Sequence, residues 1–127
     1  MFSVKPTHVH FFKNMPPEDF LSLLYCSGGI VGNSSVAIRE ASYLGVPAVN
    51  VGDRQAGRER GANVADVAYD ADAITAAVQR QLAHGPYRSD SLYGDGRAGD
   101  RIAALLGTLP RRIDKRLTYL PLVPENH

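Results

Sequence analysis

Short apolar runs alternate with helical patterns along most of the chain. Ile30–Val31, Pro47–Val51 and Ala62–Val67 are brief runs rich in β-branched residues, which are typical of strands buried on both faces of a sheet. His8–Phe12 alternates loosely between polar and apolar positions and ends in two aromatic residues, so it predicts a further strand. Four strand candidates at such spacing predict a mostly parallel sheet.

Helical periodicity fills the intervals between these runs. The predicted helices begin near Pro16–Asp19 and then cover Val36–Leu44, Asp70–Leu82 and Arg97–Leu106. Glycines stand where the first two helices should end, at Gly28–Gly29 and Gly45. Strands and helices in this order predict a Rossmann-like three-layer α/β domain over residues 1–107, followed by a C-terminal tail over residues 108–127.

A small polar turn joins the first buried run to the second helix. Asn33, Ser34 and Ser35 are all residues that favour a helix N-cap, so the helix should open at or just after Ser35. Free backbone N–H groups and the positive end of a helix dipole would then meet serine hydroxyls at one place. The turn therefore predicts an anion site, and ordinary helix capping is the alternative.

Glu40 lies too far along this helix to complete a capping box, whose acidic residue stands three positions after the cap. It should project from the second turn, beyond the anion site. A carboxylate there can accept two hydrogen bonds from a ribose diol while the turn holds phosphates. The alternative is a solvated surface glutamate paired with Arg39 or another cation.

The loop after Pro47–Val51 carries three arginines, Arg54, Arg58 and Arg60. It leaves the carboxyl end of a strand beside the predicted anion site, where ligand sites of α/β proteins gather. Guanidinium groups bind phosphate oxygens in pairs, so the loop predicts a diphosphate clamp, although such charge runs are often only solvated.

Composition narrows the possible functions. The 127 residues are 44% hydrophobic and carry a formal net charge of +1, which favours neither nucleic acid nor a membrane surface as a partner. His8 and His10 lack a third ligand nearby, so no metal site is expected. The single Cys26 excludes an internal disulfide, fits a reducing compartment and is expected to be buried at a helix end. Met1–Thr7 is too short and polar for a signal peptide, and no apolar run would span a membrane, so the sequence predicts a cytoplasmic protein.

Several separated motifs resemble one enzyme family. They are Gly32–Ser35, Ile38–Ala41, Gly45–Gln55, Gly57–Arg58, Asn63–Val64 and Tyr93–Gly96. Together they resemble the hydrolysing UDP-N-acetylglucosamine 2-epimerases, in particular the branch that makes N-acetylmannosamine for sialic-acid-type sugars. The resemblance runs from about His10 to about Leu106, and motifs in the right order are far more specific than one glycine pattern.

The resemblance implies a nucleotide-sugar site. In the family, the C2 proton is removed as UDP leaves, 2-acetamidoglucal forms, and water then adds to give N-acetylmannosamine. The matching positions imply that Ser34 and Ser35 contact the diphosphate, that Glu40 contacts the ribose and that Arg54 lies near the phosphates. The further UDP-binding residues implied are Asn33 and Met15, with Lys13, Asn14 and Arg58 as additional candidates and the Lys13–Met15 loop beside the uracil. No cofactor is implied.

The resemblance also implies that the chain covers only part of the family's architecture. It implies an architecture of two Rossmann-like domains that face each other across a cleft, which is called the GT-B fold. This chain resembles only the last part of the C-terminal domain. The acid and base carboxylates lie mainly in the half that is not matched, so no catalytic residue is assigned here. We therefore expect a chain that is inactive alone and that self-associates or needs a complementary N-terminal half.

Two other functions stay open on the sequence. One is the nucleotide-binding domain of a GT-B glycosyltransferase. Many retaining transferases place two glutamates eight residues apart on this helix, but Gly32 and Ala48 stand at those distances from Glu40. The other is a non-enzymatic α/β module that binds phosphate or a partner protein.

Overall fold

A computed structural model describes residues 6–108 of the chain. The elements, in chain order, are α1 (Pro17–Cys26), β1 (Ile30–Gly32), a 3-10 turn (Ser35–Ala37), α2 (Glu40–Leu44), β2 (Ala48–Val51), β3 (Val64–Val67), α3 (Ala71–His84) and α4 (Ala98–Thr108). The connection from β1 to β2 runs through the 3-10 turn and α2, whereas β2 and β3 are joined by a loop without a helix. The described residues form a Rossmann-like α/β domain, as the sequence predicts.

The three strands form one parallel sheet in the order β1–β2–β3. Gly32 of β1 is in register with Asn50 of β2, and Asn50 is in register with Asp66 of β3. All strands are parallel, so their carboxyl ends lie at the same edge. The loops that leave this edge carry the polar motifs.

Helices cover both faces of the sheet. Ile30 packs against Leu24 of α1 and Ala41 of α2. Its neighbour Val31 lines an apolar hollow together with Val78 of α3. Since adjacent residues of a strand point to opposite faces, α1 and α2 lie on one side of the sheet and α3 on the other.

Two buried amides connect the helices to the sheet. The Asn63 amide accepts a hydrogen bond from Ser42 Oγ at 2.6 Å and donates to the Val46 carbonyl at 2.9 Å. The Gln81 amide donates to the carbonyls of Ala48 and Asn63, both at 2.8 Å. The Asn63 carbonyl also accepts from Ala48 N–H at 2.8 Å, so the Gln81 amide adds a second hydrogen bond where β2 and β3 begin.

Three local predictions were wrong. His8–Phe12 forms no strand; instead, Val9 N–H closes a turn on the Pro6 carbonyl at 3.1 Å. A strand needs a neighbour for its backbone groups, and within residues 6–108 only β2 pairs with β1. Cys26 is exposed rather than buried, because α1 directs only Leu24 fully into the core.

The predicted helix Val36–Leu44 is also divided. A 3-10 turn covers Ser35–Ala37, and α2 begins only at Glu40. The β-branched Val36 and Ile38 are poor helix formers, and a tight 3-10 turn is common at such a start. Glu40 therefore stands in the first turn of a short helix rather than in the second turn of a long one.

The chain divides into two compact units, Met1–Gly94 and Asp95–His127. In the second unit, the structure describes α4 and the residues before it. The backbone N–H of Arg97 and the Arg101 guanidinium lower the pKa of the Asp95 carboxyl, which caps the start of α4. Residues 109–127 lie outside the described part, so the predicted tail over residues 108–127 and the boundary before it stay predictions.

Candidate functional site

The turn after β1 presents its polar groups at the carboxyl edge of the sheet. Ser34 is the N-cap of the 3-10 turn, and its Oγ accepts a hydrogen bond from Val36 N–H at 3.3 Å. Ser34 is exposed and Ser35 is half-buried. The capping role predicted from the sequence is present, but the turn is only three residues long and lacks the dipole of a full helix. The hydroxyl groups and neighbouring arginine therefore have to supply most of any anion binding.

The loop after β2 meets this turn. Gln55 is 5% exposed, and its Nε2 donates to the Asn33 carbonyl at 2.9 Å. The exposed Arg54 donates from Nη1 to Asn33 Oδ1 at 3.4 Å. We call Asn33, Arg54 and Gln55 the loop junction. It brings two of the sequence-predicted residues together and adds a third, Gln55, for which the sequence predicted no role.

Two glycines allow this loop to bend. Gly52 has a φ of 81° and Gly57 has a φ of 79°, both in the left-handed region that disfavours side chains. A Cβ on Gly52 would also lie 2.3 Å from the Tyr69 ring. Between them, Ala56 N–H donates to the Asp53 carbonyl at 2.8 Å, forming a turn that presents Arg54.

Glu40 lies in a separate hollow of about 230 Å³. The hollow is lined by residues of α1, α2 and the segment before Asp95, namely Leu21, Arg39, Glu40, Tyr43, Leu44, Asp90, Tyr93 and Gly94. Glu40 Oε2 is buried and has no hydrogen-bond partner among the described residues. The alternative of a surface pair with Arg39 is not observed within residues 6–108, where no ion pair joins the two side chains.

Of the remaining candidates, Arg58 follows the loop junction directly, and its backbone N–H donates to the Gln55 carbonyl at 3.3 Å. Lys13 and Asn14 are exposed and Met15 is half-buried, in the segment that precedes α1. Arg58 is exposed, and its carbonyl accepts a hydrogen bond from Arg60. Within the described residues, no side-chain hydrogen bond or ion pair connects these four residues to the loop junction. Their predicted contacts with a nucleotide stay predictions.

Sequence reasoning missed the inward role of Arg60. It counted three arginines as one clamp, but the Arg60 side chain is only 21% exposed and pairs with Asp66. The signal that could have found it is the acidic Asp66 on the neighbouring strand, since buried guanidinium groups need a carboxylate partner.

Neither a metal centre nor a membrane span occurs in the described part of the chain. Among residues 6–108, no three His, Cys, Asp or Glu side chains gather closely enough to hold a metal ion. No helix within the same residues has the length and apolar character needed to cross a bilayer.

The parallel sheet with its flanking helices defines a Rossmann-like α/β domain. Comparison with known proteins assigns the family. A family model described as UDP-N-acetylglucosamine 2-epimerase matches residues 2–107. The chain belongs to the UDP-N-acetylglucosamine 2-epimerase family, as its motifs predict.

Curated relatives agree with this assignment. A Legionella pneumophila protein named UDP-N,N'-diacetylbacillosamine 2-epimerase (hydrolyzing) is 37% identical over 102 residues, which cover 80% of this chain and 27% of the relative. A Neisseria meningitidis protein named UDP-N-acetylglucosamine 2-epimerase is 36% identical over 85 residues, covering 67% of this chain and 22% of the relative.

A third relative, the Escherichia coli polysialic acid biosynthesis protein P7, is 44% identical over 61 residues, covering 48% of this chain and 16% of that protein. The chain thus spans 27% or less of each of these relatives.

Proposed function

We propose that this chain is the UDP-binding portion of a hydrolysing UDP-N-acetylglucosamine 2-epimerase. In the complete enzyme, the reaction converts UDP-N-acetylglucosamine to N-acetylmannosamine and UDP. The observation that carries the proposal is the loop junction, where Gln55 and Arg54 both bond to Asn33 at the carboxyl edge of a parallel sheet. Nucleotides bind at this edge in α/β proteins.

The loop junction holds the diphosphate in this proposal. Arg54 is exposed beside the turn that carries Ser34 and Ser35. A guanidinium and two hydroxyls can donate to phosphate oxygens while the backbone approaches closely. The family-matched motif and the position of Arg54 support this assignment, with Asn33 orienting the arginine.

The nucleoside is bound by the second set of residues. Glu40 accepts hydrogen bonds from the ribose hydroxyls, which would satisfy its buried Oε2. Met15 contacts the uracil, with Lys13 and Asn14 as further contacts. Arg58 is a further candidate on the diphosphate side, in the same loop as Arg54. Tyr43 and Tyr93 border the same hollow as Glu40 and supply apolar surface for a ring.

These residues would assist the reaction by stabilising the leaving group. When the C2 proton is removed, the C1–O bond breaks, the electron pair forms the C1–C2 double bond, and UDP departs with added negative charge. Arg54 near the β-phosphate stabilises that charge. Water then adds to the 2-acetamidoglucal to give N-acetylmannosamine. No residue of this chain is assigned as the acid or base, so the 127 residues bind UDP without turnover.

The hydrolysing outcome is the finer part of the proposal. It is supported by the match to a relative whose name includes "hydrolyzing" and by the motifs of the sialic-acid branch. A complementary N-terminal half, or a second copy of the chain, completes the protein in this proposal. A cytoplasmic location is part of it too, because the lone Cys26 is exposed and suits a reducing compartment.

Calorimetry with three ligands tests the proposal. We expect the chain to bind UDP more tightly than GDP and GDP more tightly than inorganic phosphate, since the phosphate contacts are shared and the uracil contacts are not. Equal affinity for UDP and GDP would favour a domain of a different nucleotide-sugar enzyme. Equal affinity for UDP and phosphate would favour a simple phosphate-binding module.

A further inference from the structure

Arg60 differs from the other two arginines of its loop. Arg54 and Arg58 are exposed, whereas the Arg60 side chain is only 21% exposed. The Arg60 guanidinium is thus withdrawn from solvent within a loop that otherwise presents its cations. Burying a guanidinium is unfavourable unless its N–H groups find partners.

Its partners are the main-chain carbonyls of its own loop. Nη2 of Arg60 donates to the Gln55 carbonyl at 3.0 Å, and Nη1 donates to the Arg58 carbonyl. The planar fork therefore connects Gln55, which lies within the Asp53–Ala56 turn, to Arg58, which follows that turn. Lysine could not make this arrangement, because its single ammonium lacks the fixed spacing of two donors.

Asp66 connects this fork to the sheet. Nε of Arg60 lies 2.7 Å from Asp66 Oδ2, and Asp66 Oδ1 accepts a hydrogen bond from Asn50 Nδ2 at 2.7 Å. Asn50 is fully buried in β2. The polar chain Asn50–Asp66–Arg60 thus fixes the loop to a rigid element, and Gln55 carries the connection on to the Asn33 carbonyl.

We propose that Arg60 is the positioning residue for diphosphate binding. It holds the Gln55 and Arg58 carbonyls against Asp66, so that Arg54 and Gln55 meet Asn33 before the ligand arrives. This inference rests on the proposed function, because it assigns Arg60 to the diphosphate side of the same UDP site. Arg60 itself does not contact the ligand.

The expected effect follows from preorganisation. Without the guanidinium, the loop loses two internal hydrogen bonds and one ion pair, and UDP then has to order it on binding. Arg60→Gln should weaken UDP binding about tenfold, the scale on which such ordering costs reduce affinity. Arg60→Lys keeps the charge opposite Asp66 but not the fork, so its affinity should fall between that of Arg60→Gln and the parent chain.

Uridine serves as the second ligand because it lacks the diphosphate. In calorimetric or NMR titrations, Arg60→Gln should lose UDP affinity and keep its uridine affinity. A role confined to overall stability would change both affinities alike or neither. Arg80→Gln, at an exposed arginine of α3, is the matched control and should bind both ligands like the parent. Unchanged UDP affinity in Arg60→Gln, or an equal loss for both ligands, would overturn the proposal.

Amide hydrogen exchange separates this inference from the proposed function. Residues 53–59 should exchange faster in Arg60→Gln than in the parent while α3 stays unchanged, and no ligand is needed for that measurement. If the parent chain does not bind UDP, the proposed function is wrong. If residues 53–59 exchange at the same rate in the parent and in Arg60→Gln, the positioning role of Arg60 is wrong too. If Arg60→Gln does not fold, Asp66→Asn takes its place: it removes the charge opposite Arg60 and keeps an acceptor for Asn50. Its UDP affinity should fall about threefold with uridine unaffected, and an unchanged UDP affinity contradicts the inference.

Discussion

At the scale of single residues, Glu40 has a buried carboxylate oxygen without a hydrogen-bond donor in the described part of the chain, and we propose that the ribose of UDP supplies that donor. Its Oε2 is buried and has no hydrogen-bond partner among the described residues. A buried acceptor without a donor is unfavourable by about 1–3 kcal/mol. Such a group is well suited to a ligand hydroxyl, because the ligand supplies the missing donor only when it binds.

Glu40→Gln should therefore separate stability from affinity. We expect UDP binding to weaken by roughly 1.5–3 kcal/mol, the value of a hydrogen bond to a charged group. Thermal stability should stay equal or rise, because a buried charge is removed. Calorimetry and thermal melting measure the two effects. The affinities of the parent and Glu40→Gln should differ less for 2′-deoxy-UDP than for UDP, because one ribose hydroxyl is missing. Glu18→Gln, at an exposed site of α1, is the control and should bind UDP like the parent. Unchanged UDP affinity in Glu40→Gln would exclude the ribose role.

Arg54 tests the diphosphate contact at the same scale. Arg54→Lys keeps the positive charge and loses the planar fork, so UDP affinity should fall by about 1.5–3 kcal/mol, one hydrogen bond to a charged acceptor. The exposed Arg58 in the same loop provides the matched Arg58→Lys control, with a smaller loss expected. Titrations with UDP at two salt concentrations would distinguish the loss of the fork from a change in screening. Parent-like binding by Arg54→Lys would contradict the clamp.

At the scale of elements, the sequence predicts those strands and helices whose formation depends mainly on residues close together in the chain. The β-branched runs gave β1, β2 and β3, and the apolar face from Ile74 gave α3, whose cap Asp70 Oδ2 accepts from Ala73 N–H at 2.8 Å. The strand predicted at His8–Phe12 failed because strand formation depends on a neighbour, which no local pattern specifies.

The residues of the candidate site also differ in how far the sequence alone could predict them. Asn33, Ser34 and Arg54 could be predicted because turn residues and arginines at a strand's end carry local signals. The roles of Gln55 and Arg60 carry weaker local signals, because their partners lie elsewhere in the chain: Gln55 bonds to Asn33, and Arg60 pairs with Asp66. Such pairings become visible only once the sheet places the loops side by side.

Asn63 tests how far these long-range amide bonds stabilise the elements. Its side chain bonds to Ser42 and Val46 and, at 3.4 Å, to the Ala37 carbonyl. Asn63→Ala removes three hydrogen bonds and leaves buried partners unsatisfied, so the free energy of unfolding should fall by about 3 kcal/mol. Urea denaturation measures this change. The exposed Asn14 gives the control Asn14→Ala, expected to unfold like the parent; equal midpoints for both variants would contradict the role of Asn63.

At the scale of the whole molecule, the chain spans only a small part of the length of its relatives, and this affects which steps of the reaction it is expected to perform. It matches 27% of the Legionella protein and 22% of the Neisseria protein. In the proposed function, every residue that contacts UDP lies in this chain, so UDP binding is expected to need only this part. The proton transfers at C2 need an acid and a base, and the family resemblance assigns neither role to a residue of this chain. Binding and catalysis should therefore be separable.

The 127-residue chain should accordingly bind UDP, show no turnover and associate. Incubation with UDP-N-acetylglucosamine should release neither UDP nor N-acetylmannosamine, while light scattering should report a mass above 13.8 kDa. Phe12 is 65% exposed, and apolar surface of this kind favours pairing with another chain. Phe12→Ser should lower the measured mass, whereas Tyr25→Ser on α1, where the ring is 66% exposed, should leave it unchanged. A stable monomer that releases both products at enzymatic rates would overturn this expectation, because the acid and base would then have to lie among residues assigned here only to binding.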